Sequence, residues 1–316
     1  MPGDPAPGRD RFEGCLLGLA IGDGLGAPYE GLPEDVIFAM GPADAIVADF
    51  PEPVIRYTDD TQMTIAVAEA LVAREEIEEE SLCAAFTAHY DPDRGYGPGA
   101  RRILGAMRDG QDWRSVARDV FPGGSLGNGA AMRVAPIGLL FGDDLDRVAE
   151  QAERSARPTH LHPIGIDGAR LMAVAVALAS RGGPFDRKAF FRDLAPFAET
   201  EEFRWQLSVA RRLRRSDGVG GFGNGLEAHR SVTTALAIFA ASPDDYPAVV
   251  ARAIGQGNDV DTLAAMAGAL AGARLGLAGI PPVLVSKLEE GHQGRSHILS
   301  LAGRLHELRA GRPDSA

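Results

Sequence analysis

The chain has 316 residues, 45% hydrophobic and 24% charged, an ordinary globular composition and length enough for one large domain or two small ones. A formal net charge of −12 argues against general affinity for DNA or for an anionic membrane, because both depend on a summed positive field. The apolar residues are mostly Ala and Leu and aromatics are only 6%, which favours helices over sheets, so an all-α protein is expected.

In chain order, residues 1–10 are rich in breakers and are expected to be disordered. The apolar run Phe12 to Ala20 predicts a helix leading into Gly22-Asp23-Gly24-Leu25-Gly26. A Pro-rich stretch then carries Tyr29 and Glu30 to Arg56 and reads as a mobile loop. Met63, Ala66, Val67, Ala70 and Leu71 recur at helical spacing and end in the polar Arg74-Glu75-Glu76. Further helical patterns occupy 81–90, 98–108, 129–141, 144–156, 164–180, 186–194, 199–214, 226–241, 246–255, 260–275 and 295–309. No linker or composition shift divides them, so residues 11–310 are expected to form a single domain, followed by a disordered tail over 311–316. Cys15 and Cys83 lie in apolar segments without CxxC spacing and read as buried free thiols. No signal peptide is evident, and no apolar run reaches the ~18 residues that span a bilayer. The chain reads as cytoplasmic.

Two acidic clusters stand at the heads of long apolar helical runs: Tyr57-Thr58-Asp59-Asp60-Thr61 and Gly257-Asn258-Asp259-Val260-Asp261-Thr262. Each by itself reads first as a helix cap, since Asp and Thr are favoured there. If folding joins them, they make an oxygen-only cage, which suits magnesium, manganese or calcium better than zinc. Gly95-Tyr96-Gly97-Pro98-Gly99 and Ser125-Leu126-Gly127-Asn128-Gly129 each precede a helical run, where exposed N–H groups and the helix dipole can hold phosphate; ordinary glycine turns would look the same. Gly218-Val219-Gly220-Gly221-Phe222-Gly223 has dinucleotide-fingerprint spacing, but it follows Arg211-Arg212-Leu213-Arg214-Arg215 instead of a strand and reads as a flexible loop. Arg133 falls within an apolar pattern and needs either a buried ion pair or an anion. His160 and His162 could reach one site from a loop, although His162 reads more simply as a lone surface or core histidine. Arg101-Arg102 reads as a solvated face.

In their order and spacing, Gly14-Cys15-Leu16-Leu17-Gly18 through Gly22-Asp23, the first acidic cluster, Gly127-Asn128-Gly129-Ala130-Ala131-Met132-Arg133, and Asp259-Val260-Asp261-Thr262 with Ala267-Gly268-Ala269 resemble the ADP-ribosylglycohydrolase family. Asp91 through Gly97 together with Gly124 through Gly129 are most similar to its branch that cleaves serine-linked ADP-ribose, poly(ADP-ribose) and O-acetyl-ADP-ribose. The resemblance implies a compact orthogonal all-α bundle and a metal-dependent hydrolase acting at the anomeric carbon of ADP-ribosyl groups. It implies two magnesium or manganese ions held by Thr58, Asp59, Asp60, Asp259, Asp261 and Thr262. It implies Glu30 as the catalytic carboxylate on a loop that closes over the metals, with Asp60 or Asp261 sharing the base role. Gly97, Gly99, Gly124, Ser125 and Asn128 match positions that bind the diphosphate and distal ribose, and His160 matches a histidine of the same channel. Leu126 stands where the branch usually stacks a tyrosine on adenine, and Asn258 where the second metal motif usually has glycine. Partners implied are ADP-ribose, ADP-ribosylated proteins and poly(ADP-ribose). The alternatives are a hydrolase of arginine-linked ADP-ribose and a non-catalytic ADP-ribose-binding or structural protein.

Overall fold

The computed structural model describes residues 7–214 and 218–312. The disorder expected for 1–6 and 313–316 lies outside the described residues, and the first helix already starts at Arg9. Seventeen α-helices follow one another among the described residues: α1 (Arg9–Gly26), α2 (Glu34–Met40), α3 (Ala43–Ala48), α4 (Asp59–Arg74), α5 (Glu79–His89), α6 (Pro98–Arg108), α7 (Trp113–Val120), α8 (Ala135–Phe141), α9 (Leu145–Ala156), α10 (Pro163–Ala179), α11 (Arg187–Leu194), α12 (Glu201–Ala210), α13 (Ala228–Ala241), α14 (Tyr246–Ile254), α15 (Val260–Leu275), α16 (Pro282–Lys287) and α17 (Arg295–Ala310). Extended pairing among them is limited to two isolated bridges, Ile55 with Leu288 and Gly127 with Glu227. The fold is all-α. No described helix is long and apolar enough to cross a membrane.

The centre of the molecule is the contact between α1 and α15. Both are buried on every face over most of their length, from Gly14 to Gly26 and from Val260 to Ala273. They run antiparallel with backbones almost touching. A Cβ built on Gly14 would lie 2.6 Å from the Gly272 carbonyl oxygen, one on Gly18 2.6 Å from that of Gly268, and one on Gly22 2.2 Å from that of Ala264. At the end of this stripe, a Cβ on Gly26 would lie 2.5 Å from the Cα of Asp261. Glycine at every fourth position of α1 therefore clears one face for a second backbone. Tyr246 of α14 seals the seam by donating its hydroxyl to the Gly18 carbonyl at 2.7 Å. Around this pair, α17 packs on α1 and α4, and α10 packs on α8, α9 and α13. Cys15 and Cys83 are both buried and free, as expected.

Three local readings need correction. The stretch from Tyr29 to Arg56 is not one long loop: it contains α2 and α3, because Pro33 and Pro42 sit at N-caps, where a missing N–H costs nothing. Ile37 and Val47 then anchor these short helices in the core. The pattern over 129–141 is a 3₁₀ turn at Asn128–Ala130 followed by α8, with Pro136 in the first turn of the helix, so Arg133 lies in the connection and not inside a helix. The helices α7 and α16 were not anticipated; α7 is capped by Asp112, whose carboxylate accepts the Arg114 N–H at 3.1 Å.

The stripe gives a direct test. Gly22→Ala should lower stability by about 1–3 kcal/mol despite the better helix propensity of alanine, because the methyl meets a backbone carbonyl that cannot retreat. Gly105→Ala, in α6 with open space around the added methyl, should raise stability by about 0.5–1 kcal/mol. Denaturant midpoints of the two variants measure both; a Gly22→Ala protein as stable as wild type, or stabilised like Gly105→Ala, would remove the packing argument.

Candidate active site

The α1–α15 contact carries Asp23, one turn before the end of α1, to the heads of α4 and α15. Asp23 is fully buried and accepts from the Thr58 N–H at 3.0 Å, the Thr61 N–H at 3.1 Å and the Thr61 hydroxyl at 2.5 Å. It caps α4 from across the fold. Thr58, the N-cap residue, adds its own hydroxyl as acceptor for the Asp60 N–H at 3.4 Å. At α15 the division of labour differs. Asp259 occupies the N-cap position without a side-chain cap bond, and its carboxylate instead accepts Asn128 Nδ2–H at 2.6 Å.

Two sets of three carboxylates result: Asp23, Asp60 and Asp261, and Glu30, Asp259 and Asp261, each with one oxygen per residue within 4.8 Å of the others. Asp261 belongs to both. Thr58 and Thr262 each direct a hydroxyl to Asp60 Oδ2, at 3.3 and 3.4 Å. Asp60 Oδ1 and Asp261 Oδ1 are buried and have no hydrogen-bond partner. Two orphaned carboxylate oxygens at the centre of an all-oxygen donor set are what a hard divalent cation would satisfy, so the residues fit such an ion.

This cluster has hydrogen-bond donors but no cationic side chain to balance its charge. Among the described residues none of these carboxylates pairs with an arginine or lysine. Burial raises Asp23 to about 6 against the lowering effect of its threonine hydrogen bonds, and raises Asp59 to about 7 with help from the Asp23 charge. Burial and then neighbouring carboxylates push Asp60 and Asp261 well above the usual range. Asp259 is raised by burial, and Glu30 by burial and the Asp259 charge.

The loops over the cluster are tied to it. The Gly31 N–H donates to the Asn258 carbonyl at 2.8 Å and the Asn258 N–H to the Leu32 carbonyl at 2.7 Å, so the Glu30 segment is latched beside Asp259 in this structure. Asn258 adopts φ +64°, following Gly257 at +70°, so asparagine here takes the left-handed conformation that glycine would take, as its short polar side chain permits. On the other side, Arg94 chelates Glu289 at 2.5 and 3.1 Å, donates to the Tyr57 carbonyl at 2.9 Å and lies over the Tyr57 ring. Tyr96 donates its hydroxyl to Gln62 of α4 at 2.8 Å, which holds the Asp91–Gly97 loop against the first cluster.

Of the residues singled out in the sequence, the fold joins Glu30, Asp60, Asp259 and Asp261 directly and adds the hydroxyls of Thr58 and Thr262. Asp59 stands outside both close sets, half-buried, with Gly95 near its carboxylate. Gly97 caps α6 with nothing within 4 Å of where a Cβ would be, leaving its backbone open to a ligand, whereas Gly99 is glycine because the Phe121 ring fills that space at 2.3 Å. Gly124, at φ +87°, packs on the His162 backbone, and Ser125 Oγ accepts the Gly127 N–H at 3.2 Å. Leu126 is exposed at the rim, while Asn128 is buried on Asp259. His160 is buried behind this loop, and His162 is the N-cap of α10. Asp23 carries one sequence signal as a site residue, its place beside the four-residue glycine repeat. Glu289 had no signal, because its partners lie about 195 and 232 positions away.

The ADP-ribosylglycohydrolase profile matches residues 4–315. The chain is similar to the ADP-ribosylhydrolase ARH3 of Gallus gallus, at 33% identity over 96% of this chain and 94% of that protein. It is similar to the ADP-ribosylhydrolase ARH3 of Homo sapiens at 30% identity, over 94% and 93%. Among solved structures, an ADP-ribosylglycohydrolase-related protein complex superposes with a TM-score of 0.69 at 27% identity, covering 95% of this chain and 98% of that one. Sequence motifs, an all-α scaffold and paired acidic sets at helix heads converge: the chain belongs to the ADP-ribosylglycohydrolase family.

Proposed function

We propose that the protein hydrolyses the glycosidic bond at the anomeric carbon of ADP-ribosyl groups with the help of two divalent cations, magnesium or manganese. The observation that carries this is the pair of acidic sets sharing Asp261, with two buried carboxylate oxygens left unpartnered. Asp23, Asp60 and Asp261 would hold one ion and Asp259 and Asp261 the other, with the Thr58 and Thr262 hydroxyls and Asp59 completing the shell and the Glu30 carboxylate standing beside the second ion. Bound there, the ions would supply Lewis-acid polarisation and a seat for ribose hydroxyls. Glu30 moves the proton: its raised pKa suits a group that must both take and give one as positive charge develops at the anomeric carbon. Its loop, latched through Gly31 and Leu32, sets the carboxylate beside Asp259, where it would border the reacting carbon. Asn128 orients Asp259, and the backbone of Gly97 and of Gly124–Asn128 faces the diphosphate. The likeness to ARH3 proteins and the Asp91–Gly97 and Gly124–Gly129 motifs favour O-linked acceptors, serine first, with poly(ADP-ribose) and O-acetyl-ADP-ribose alongside. A panel of serine-linked, arginine-linked, polymeric and O-acetyl substrates decides the acceptor; release only from arginine would reverse the assignment.

Three outcomes are expected. Asp261→Asn, which alters both sets at once, should weaken magnesium binding at least about 100-fold by calorimetry and abolish turnover with the helical circular dichroism unchanged; undiminished hydrolysis would refute the shared-ligand role. Glu30→Gln should cut kcat by about 10²–10⁴-fold while leaving magnesium affinity within about tenfold, since its work is the proton.

The third concerns pH. The folded-state pKa values of Asp23 (about 6) and Asp59 (about 7) lie above the unfolded value, so their contribution to stability is fully present below about pH 4 and is lost as pH rises through that range. Metal-free protein should therefore melt lower at pH 8 than at pH 5.5. Magnesium at about 100 times its Kd should restore roughly 5 °C at pH 8 and much less at pH 5.5, where protons compete. A metal-free melting temperature that climbs between these pH values would contradict the uncompensated cluster.

A further inference from the structure

Arg133 is fully buried yet has no carboxylate partner among the described residues. Its guanidinium lies over the Phe86 ring, 4.5 Å from the centroid, and one terminal nitrogen donates to both the Ser155 carbonyl and the Thr159 hydroxyl oxygen at 2.8 Å. The buried ion pair that its sequence position suggested is not found among the described residues. The contact to Thr159 has a consequence one residue further on. Arginine can only donate, so Thr159 Oγ1 accepts from it, and the threonine proton must go elsewhere. Two acceptors are in reach: His160 Nδ1 at 2.7 Å and the Ala156 carbonyl at 3.4 Å. With the proton in the shorter contact, Nδ1 is the acceptor and the ring hydrogen sits on Nε2; the competing arrangement, Nδ1–H donating to Thr159, must turn the hydroxyl proton to the longer 3.4 Å contact with the Ala156 carbonyl. Burial, and then the Arg133 charge, hold the imidazole neutral, with its pKa pushed down to about 3.

Nε2 has no partner among the described residues, although His160 is more than nine-tenths buried. It faces the glycine loop: a Cβ on Gly127 would stand 3.6 Å from Nε2 and one on Gly129 3.5 Å. The loop is glycine where the imidazole edge comes up beneath it, so this edge borders whatever the loop binds.

We propose that Arg133 and Thr159 are positioning residues that lock His160 in the Nε2–H tautomer, presenting one uncharged, fixed donor through the Ser125–Gly129 loop to a phosphate oxygen of the ligand. The ligand half of this statement rests on the reading of that loop as a diphosphate seat; the tautomer half does not. A neutral donor fixed in advance costs no reorganisation when the ligand arrives, and it leaves the charge balance of the anionic group to be met elsewhere in the site.

Long-range ¹H–¹⁵N correlation spectra of the full-length protein, with His160 assigned by its absence in His160→Gln, report the tautomer directly. Wild type should show the Nε2–H form. Thr159→Val keeps the shape and removes the hydroxyl; it should release the lock, giving mixed tautomers or the Nδ1–H form, and raise KM for an ADP-ribosylated substrate about tenfold with kcat within about twofold. Thr159→Ser should restore both the spectrum and KM, which a purely structural role for Thr159 would not require. A wild-type His160 in the Nδ1–H or doubly protonated state overturns the proposal without any variant, and so does a Thr159→Val protein with unchanged spectrum and KM. A wild type that shows the Nε2–H form but fails to bind ADP-ribose in calorimetry overturns the diphosphate reading while the tautomer lock stands.

Discussion

Every functional contact in this molecule depends on how closely α1 approaches α15. Helices whose side chains interdigitate lie 8–10 Å apart, but the glycines of α1 and the Gly268 and Gly272 positions of α15 remove the side chains that would set that distance. The two backbones then meet carbonyl against Cα. Because the stripe ends at Gly26 on one helix and at Asp261 on the other, the closest approach coincides with the acidic cluster. Asp23 enters the cluster only because its neighbours Gly22 and Gly26 let α1 slide in against Ala264 and Asp261. A residue with a Cβ at any of these positions would move Asp23 by the width of a methyl group, and with it the cap that starts α4.

That cap shows how structure and site share the same atoms. The first turns of α4 and α15 both face the cluster, and the positive ends of these helices provide partial charge that several buried carboxylates need. Asp23 uses its oxygens for the Thr58 and Thr61 N–H groups, whereas Asp60 and Asp261 each keep a buried oxygen with no partner. Stability alone does not favour that arrangement, since burying an unsatisfied carboxylate oxygen is costly. The cluster is held in place by packing that is strong elsewhere: the all-round apolar burial of α1 and α15 and the Arg94–Glu289–Tyr57 contact at the head of α4. Strain concentrated at a site and offset by the surrounding core is a common pattern in proteins whose sites bind ions.

How legible this was in the sequence varied with the range of the forces. Amphipathic helices such as α6 and α9, with buried Ile103, Leu104 and Met107 or Val148, Ala149 and Ala152, were bounded to within a residue or two, since their periodicity is a local consequence of one buried face. A Pro-rich composition conceals α2 and α3, because Pro33 and Pro42 stand at their N-caps and begin helices instead of breaking them. The apolar neighbours of Arg133 mimic a helix; they are apolar because they are buried, and Pro136 places the helix start beyond them. In the site, Asp59-Asp60 and Asp259-Asp261 were visible as short acidic clusters at helix heads, and Glu30 entered with the family motifs.

The sequence by itself determined the helical class, the two acidic helix heads, the glycine-rich loops and the family, because each is written in neighbouring residues or in the order of short motifs. Only the tertiary structure decided that Asp23 is a full member of the cluster, that Asp261 belongs to both acidic sets, that Asp259 is free of capping duty, and that Glu289 braces the loop before α4. The physical reason is sequence distance. Asp23 and Asp261 meet through a backbone contact between helices that the chain separates by more than two hundred residues, and nothing in either segment's local pattern states which glycine face will receive which helix until both are packed.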